Sequence, residues 1–291
     1  MSQRIAVAII HGIGQQKPDF AEGIMKELKE RFVEWIQVSS SDPESQLVMQ
    51  PIYWAPVLQN SENELWNRLL NGGELDFLSL RRFMVSFAAD AIAYQPAPRE
   101  RDAYDAVHQE VAASLKQLAA NAGGSAPLCF IAHSLGTVIT SNYFYDLQNR
   151  GKRRLISAKV RKKMGKTPLE LGETLTSLYT FGSPIALWSL RYRDFGKPIA
   201  VPSPKLGNHY PNLLVSGEWL NFYDEDDVIG YPLKELNTAY RTAVTEDRQV
   251  NVGGILTSWN PLSHNGYWTD NDVTKPIAAG LARVWRRVNG L

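Results

Sequence analysis

Apolar positions along the chain keep two rhythms. Short, nearly continuous apolar runs at Ile5–Ile10, 128–132 and Leu175–Phe181 have the length of buried strands, and 218–223 and 249–252 read as further, less uniform ones. A run at 47–54 contains Pro51, which predicts a strand near the edge of a sheet. Between these runs apolar residues recur three and four apart, as on helices. Phe20, Ile24, Leu28, Phe32, Trp35 and Ile36 mark one buried stripe, with Asp19 and Glu22 spaced as a capping box at its start. Tyr104, Val107, Val111, Leu115 and Leu118 mark a second over 99–121, with His108 on the opposite side as a surface residue. Ile277, Leu281, Val284, Trp285 and Val288 mark a third near the end of the chain. Strand and helix alternate, so the expected fold class is α/β, a mostly parallel central sheet flanked by helices within one domain over 1–291.

Two stretches interrupt this alternation. Residues 55–100 are rich in Trp, Phe and Leu and suggest two helices around Asn71, Gly72 and Gly73, with Leu58, Leu65, Trp66 and Leu69 on the first and Phe83, Val85, Phe87 and Ile92 on the second. Packed core is the favoured expectation for them, and a helical cover over a site is the other. Residues 185–211, rich in Pro, Gly, Arg and Tyr, read as a loop insertion that carries Trp188 and His209.

The change of rhythm at 126–146 is the sharpest. A strand of Leu128, Cys129, Phe130, Ile131 and Ala132 gives way after Gly136 to a helix whose inner face is Leu135, Val138, Ile139, Asn142, Tyr143 and Leu147. Ser134 stands at the joint. A sharp strand-to-helix turn holds a hydroxyl out of the sheet and needs small neighbours, which Ala132 and Gly136 supply. By itself the serine also fits a plain helix cap.

Composition narrows the class. A hydrophobic fraction of 44% and a charged fraction of 21% fit a folded domain with a sizeable core, and a net charge of +1 gives no global field to gather nucleic acid. The first residues lack the pattern of a signal peptide and read as a strand, and a single cysteine, Cys129, forbids disulfides within the chain. A cytoplasmic location is the expectation. The basic run at 151–167 reads as a solvated surface in preference to a membrane-surface contact. The oligomeric state is open.

Four local motifs resemble those of α/β-hydrolases of the lipase and esterase type: His11-Gly12-Ile13-Gly14 after the first strand, the pentapeptide Ala132-His133-Ser134-Leu135-Gly136, Phe181-Gly182-Ser183-Pro184 followed by the acidic turn 224–230, and Ser263-His264-Asn265-Gly266-Tyr267-Trp268. Ala132 stands where the common elbow pattern begins with Gly. The resemblance implies the α/β-hydrolase fold and a triad in the order Ser, acid, His. Only His264 among the five histidines follows the acidic turn. The resemblance thus assigns Ser134 as nucleophile, His264 as base and Asp226 as the acid, with Asp227 close enough to compete. It assigns the backbone N–H groups of Ile13 and Leu135 as the oxyanion hole. The implied activity is hydrolysis of a small-molecule or lipid-like carboxylic ester, with no metal and no organic cofactor. A catalytically silent relative that keeps the pocket for a lipid or a partner is the alternative.

Overall fold

The computed structural model describes residues 2–13, 16–73, 76–95, 101–151, 155–252 and 263–291. Expectations resting on Gly14, on 152–154 of the basic run, on 259–262 and on the side chains of Phe83, Phe87, Ser263 and Asn265 lie outside them.

Six strands form one sheet: β1 (Ile5–Ile10), β2 (Leu47–Ile52), β3 (Leu128–His133), β4 (Leu175–Phe181), β5 (Trp219–Asp224) and β6 (Glu246–Val250). Their order is β2-β1-β3-β4-β5-β6, and every neighbouring pair is parallel. The helices are α1 (Glu22–Ile36), α2 (Pro56–Asn71), α3 (Leu78–Ala93), α4 (Asp102–Ala122), α5 (Leu135–Gln148), α6 (Ala158–Lys163), α7 (Ile185–Ser189), α8 (Thr238–Ala243) and α9 (Asn271–Val288). The architecture is α/β, an open parallel sheet with flanking helices.

The pleat explains the two layers of core. Ile5, Val7 and Ile9 point to one face and pack with α1 and α9, whereas Ala6, Ala8 and Ile10 point to the other and pack with α4 and α5. Both faces being covered, β1, β3 and β4 are buried along their whole length, which is why they read as continuous apolar runs. β2 lies at the edge, as Pro51 predicts. Among the described residues no helix is long and apolar enough to cross a membrane.

Four expectations need correction. Helix α1 starts at Glu22 after Ala21, with no side-chain cap, so the capping box of Asp19 and Glu22 does not form. Trp35 is 48% exposed, because it lies at the rim of the α1–α9 contact beneath the Arg286 guanidinium, 5.7 Å from its ring. His108 is buried. The outer side of α4 is itself covered, by Tyr94 beyond α3, whose hydroxyl is 2.9 Å from His108 Nε2, and by Tyr143 of α5. Finally, the described apolar side chains of 55–100 supply little packed core. Helices α2 and α3 pair mainly with each other, and Leu65, Leu69, Leu70, Met84 and Ile92 stand between two-fifths and three-quarters exposed. Among the described residues the buried apolar side chains of this stretch are Leu58 and Tyr94, with Trp54 and Ala55 at its base, while Glu62, Ser86 and Asp90 are buried between the helices.

Burial of ionisable groups makes the fold acid-sensitive in a defined direction. Burial pushes His11 down to about 4 and His108 down to about 3, and burial together with the charge of His264 takes His133 well below its ordinary value. Below about pH 6.5 the unfolded chain protonates these rings and the folded chain does not. Asp146 works the other way, because burial raises its carboxyl to about 6 and the folded chain keeps a proton there. Unfolding near pH 5 therefore takes up about two protons net from these four groups. Their joint contribution to stability should fall as pH drops from about 6.5 towards 4, by on the order of 2–3 kcal/mol per pH unit, and the slope should ease below about pH 4 as His11 protonates in the folded chain. Urea unfolding at stepped pH checks this; stability that rises on acidification through that window would contradict it.

Candidate active site

Between β1 and β3 the chain reverses its direction of travel across the sheet. It leaves β1 towards β2 on one side and later enters β3 on the other, so the loops beyond their carboxyl ends diverge and leave a crevice. His11, Gly12 and Ile13 leave β1 there, and Ser134 leaves β3 beside them.

Ser134 has φ 53° and ψ −131°, in a region that non-glycine residues avoid. Such a backbone costs on the order of 1–3 kcal/mol and persists only when its surroundings hold it. Here the Ser134 N–H donates to the Phe181 carbonyl at 3.1 Å, and the Ser134 carbonyl accepts from the Thr137 N–H at 2.9 Å and the Thr137 hydroxyl at 2.7 Å. The strand is thus locked on one side and the first turn of α5 on the other. Ser134 Oγ is buried and has no hydrogen-bond partner among the described residues.

The glycine turn of β1 lies directly against this serine. A methyl group on Gly12 would overlap Ser134 Cβ and come within 2.9 Å of its Oγ. One on Gly136 would come within 2.5 Å of the His11 carbonyl, so the small residue expected at that place in the elbow lets α5 approach β1. His11 fixes the turn. Its Nδ1–H donates to the Gly12 carbonyl at 2.8 Å, its Nε2 accepts from the Trp54 N–H at 3.1 Å, and its own carbonyl accepts from Trp54 Nε1 at 2.9 Å. The backbone N–H groups of Ile13 and Leu135 donate to no backbone carbonyl among the described residues. That of Leu135 is one of the unpaired donors that open every helix.

The remaining groups come from the ends of the next strands. His264 Nδ1 lies 3.0 Å and 2.9 Å from the two carboxylate oxygens of Asp227, and both side chains are buried. Asp226 was the expected partner of this histidine, and the structure brings Asp227 to it instead. Asp226 is half-buried, and its N–H is turned to Asp224 Oδ1 at 2.8 Å. The turn directs the next side chain inward, where Oδ1 also accepts from the Ile229 N–H at 3.0 Å. Gly182, at φ 56° after β4, makes room for the pair, since a methyl there would lie 2.9 Å from His264 Cε1 and 3.1 Å from Asp227 Oδ2.

Burial of Asp227 opposes its ionisation, but the hydrogen bond and charge of His264, the Ile229 N–H and the Tyr267 hydroxyl outweigh it and hold the carboxyl below its ordinary range. The contact thus suits an imidazole whose Nδ1–H points at a carboxylate. Tyr267 was not expected in this role. It follows His264 by three residues in a 3₁₀ segment, which places both on one side, and its hydroxyl donates to Asp227 Oδ2 at 2.8 Å while accepting from the Asp224 N–H at 2.9 Å. His133 was also missed. A carbonyl can only accept, so His133 donates from Nε2 to the His264 carbonyl at 2.7 Å, linking the residue before Ser134 to the backbone of His264.

Cys129 lies inside β3, where burial pushes its thiol up to about 12, as expected of a buried small residue. Among the described residues no group of His, Cys, Asp and Glu is arranged to hold a metal ion. No family model matches the chain, and comparison with curated proteins and with solved structures finds no match.

Two substitutions probe the geometry itself. Tyr267→Phe removes a donor from Asp227 and leaves the Asp224 N–H without its acceptor, which should cost about 1–3 kcal/mol of stability. Gly182→Ala adds left-handed strain to the crowding of His264 and should cost about 1–3 kcal/mol or more. Denaturant unfolding of each variant checks these values, and a change within about 0.3 kcal/mol in either would contradict the packing described.

Proposed function

We propose that the chain is a serine hydrolase of the α/β-hydrolase kind, cleaving small-molecule or lipid-like carboxylic esters through an acyl-enzyme. One observation carries this reading: a serine held in a strained turn at the reversal point of the sheet, with a glycine turn pressed against it and a buried histidine–carboxylate pair at the ends of the neighbouring strands.

In the proposed reaction Ser134 Oγ attacks the ester carbonyl carbon, and its proton passes to His264 Nε2. The oxygen that becomes negative is held by the N–H groups of Ile13 and Leu135. Preorganised donors of this kind are worth about 3–4 kcal/mol each in other enzymes. The tetrahedral adduct collapses, the C–O bond to the leaving alcohol breaks, and the alcohol takes the proton from His264. A water molecule then gives its proton to His264, attacks the acyl carbon, and releases the carboxylic acid and Ser134. Asp227 stays ionised throughout, keeps the Nδ1–H tautomer and stabilises the imidazolium. The chemistry as proposed calls for no cofactor.

Labelling by a fluorophosphonate, read by intact mass, tests the reading. Wild type should gain one adduct and Ser134→Ala none; folded wild type that gains none would overturn it. The acid is tested separately on a chromogenic short-chain ester. Asp227→Asn should lower kcat by about 10³–10⁴, as loss of the correct tautomer does elsewhere, while Asp226→Asn should stay within about threefold of wild type. The reverse order would reassign the acid.

A further inference from the structure

Helix α5 starts at Ser134 and borders a second space along its length. One turn beyond the elbow, Val138 begins a face that continues through Ser141, Asn142, Tyr145 and Asp146, and this face floors a cavity of about 440 Å³. The opposite wall is α7 and the 190–197 segment that follows it. The size lies within the range of about 300–1,000 Å³ common to small-molecule sites.

The lining has three kinds of group in three places. Arg101, Arg191, Arg193 and Lys197 bring four cations, against one acid, Asp146. This is a local excess in a chain with 31 basic and 30 acidic residues. Among the described residues the side chains of Arg193 and Lys197 enter no ion pair and no hydrogen bond. Arg191 is held by Gln95 and over the Tyr192 ring, without a carboxylate among the described residues, whereas Arg101 pairs with Asp105 at 3.6 Å and donates to the Leu155 carbonyl at 3.1 Å. The walls are aromatic: Tyr104, Tyr145, Trp188, Tyr192, Phe195 and Tyr240. The floor is polar. Asp146 accepts from the Tyr104 hydroxyl at 3.0 Å, and Ser141 and Asn142 stand on the same helix face.

The 190–197 wall is built to stay in place. Asp194 and Phe195 both have positive φ, and Asn237 Nδ2 ties the Asp194 carbonyl at 2.7 Å and the Gly196 carbonyl at 3.1 Å to the start of α8. Three cations without carboxylates among the described residues, Arg191, Arg193 and Lys197, call for an anion of more than one charge, and guanidinium groups suit phosphate oxygens. Aromatic walls call for a flat ring. A floor of carboxylate, amide and hydroxyl calls for hydroxyl or amino groups between the two.

We propose that this cavity is a binding site for a phosphorylated ligand with a flat ring and hydroxyl groups, of the nucleoside monophosphate class, separate from Ser134. The ring lies between the tyrosines and Trp188, the sugar hydroxyls face Asp146 and Asn142, and the phosphate meets Arg191, Arg193 and Lys197.

Titration of the full chain carrying Ser134→Ala with adenosine monophosphate, read by calorimetry and by tryptophan fluorescence, tests this without turnover. Binding should saturate with a Kd below about 1 mM, and adenosine and inorganic phosphate should each bind at least about tenfold more weakly. Arg193→Ala combined with Lys197→Ala alters two exposed side chains and should keep the thermal midpoint while weakening the nucleotide at least about tenfold and leaving adenosine unchanged. Asn142→Asp, which adds a charge to the floor, should weaken both nucleotide and nucleoside. The proposal is overturned by an absence of saturation, by a nucleotide that binds no better than the nucleoside or phosphate alone, or by equal affinity in the folded double variant. Failure of Ser134 to react with a fluorophosphonate would leave these outcomes as they stand, because none depends on that serine.

Discussion

The parallel ladder of β1, β3, β4, β5 and β6 is the constraint on which the geometry of the candidate site depends. Because all strands run the same way, all their carboxyl ends lie along one edge, and every loop that leaves a strand starts there. Gly12, Ser134, Gly182, Asp227 and His264 are far apart in sequence. The first four nevertheless lie within three residues of the carboxyl end of a strand, and His264, in the segment Ser263–Thr269, meets Asp227 there. The register decides how close they come: Ile10 pairs with Ala132, and His133 with Phe181, so the three turns that follow these strands start at nearly the same height. An antiparallel neighbour would have sent one of them to the far edge.

Within that edge the hardest electrostatic problem is a carboxylate removed from water. Asp227 can stay ionised only if donors replace its hydration. They come from three sources: the Ile229 N–H of its own turn, the Tyr267 hydroxyl and His264 Nδ1. Two of these belong to one 3₁₀ segment, so satisfying the carboxylate also orients the histidine. His133 closes the circuit by holding the backbone of His264 from the strand that ends in Ser134. The positions of Ser134, His264 and Asp227 are therefore not independent, and a shift in the acidic turn is transmitted to His264 through bonds on both sides.

What the sequence discloses follows the range of the physics involved. The strands β1, β3 and β4, the turn at Ser134 and the long helices were legible because buried parallel strands and amphipathic helices leave short-range patterns. His264 was legible through motif order. The choice between Asp226 and Asp227 was not, since both are acidic neighbours in one turn and only the direction of the turn, set by Asp224 accepting the Asp226 N–H, decides which carboxylate faces inward. His108 was misplaced because a helical wheel gives one buried face, whereas α4 meets the sheet on one side and Tyr94 on the other. The α2–α3 hairpin failed for the opposite reason. Its apolar residues imply burial, and the described residues supply Leu65, Leu69, Leu70, Met84 and Ile92 with little of it.

The distribution of energetic costs adds an argument that does not rest on motifs. Ser134 carries a backbone conformation worth on the order of 1–3 kcal/mol against folding, and its buried hydroxyl lacks a partner among the described residues, a further cost of about 1–3 kcal/mol. Against a total stability of about 5–15 kcal/mol for a typical domain, such a concentration at one residue is large. Glycine at position 134 would remove both costs without disturbing the ladder, because the bonds that lock the turn use only backbone N–H and carbonyl. The same crevice holds the Ile13 and Leu135 N–H groups, free of backbone acceptors among the described residues. Unmet donors and an unmet hydroxyl facing one space are costs that an oxygen-rich reacting group would recover on binding, and recovery at that point is what differential stabilisation of a transition state requires.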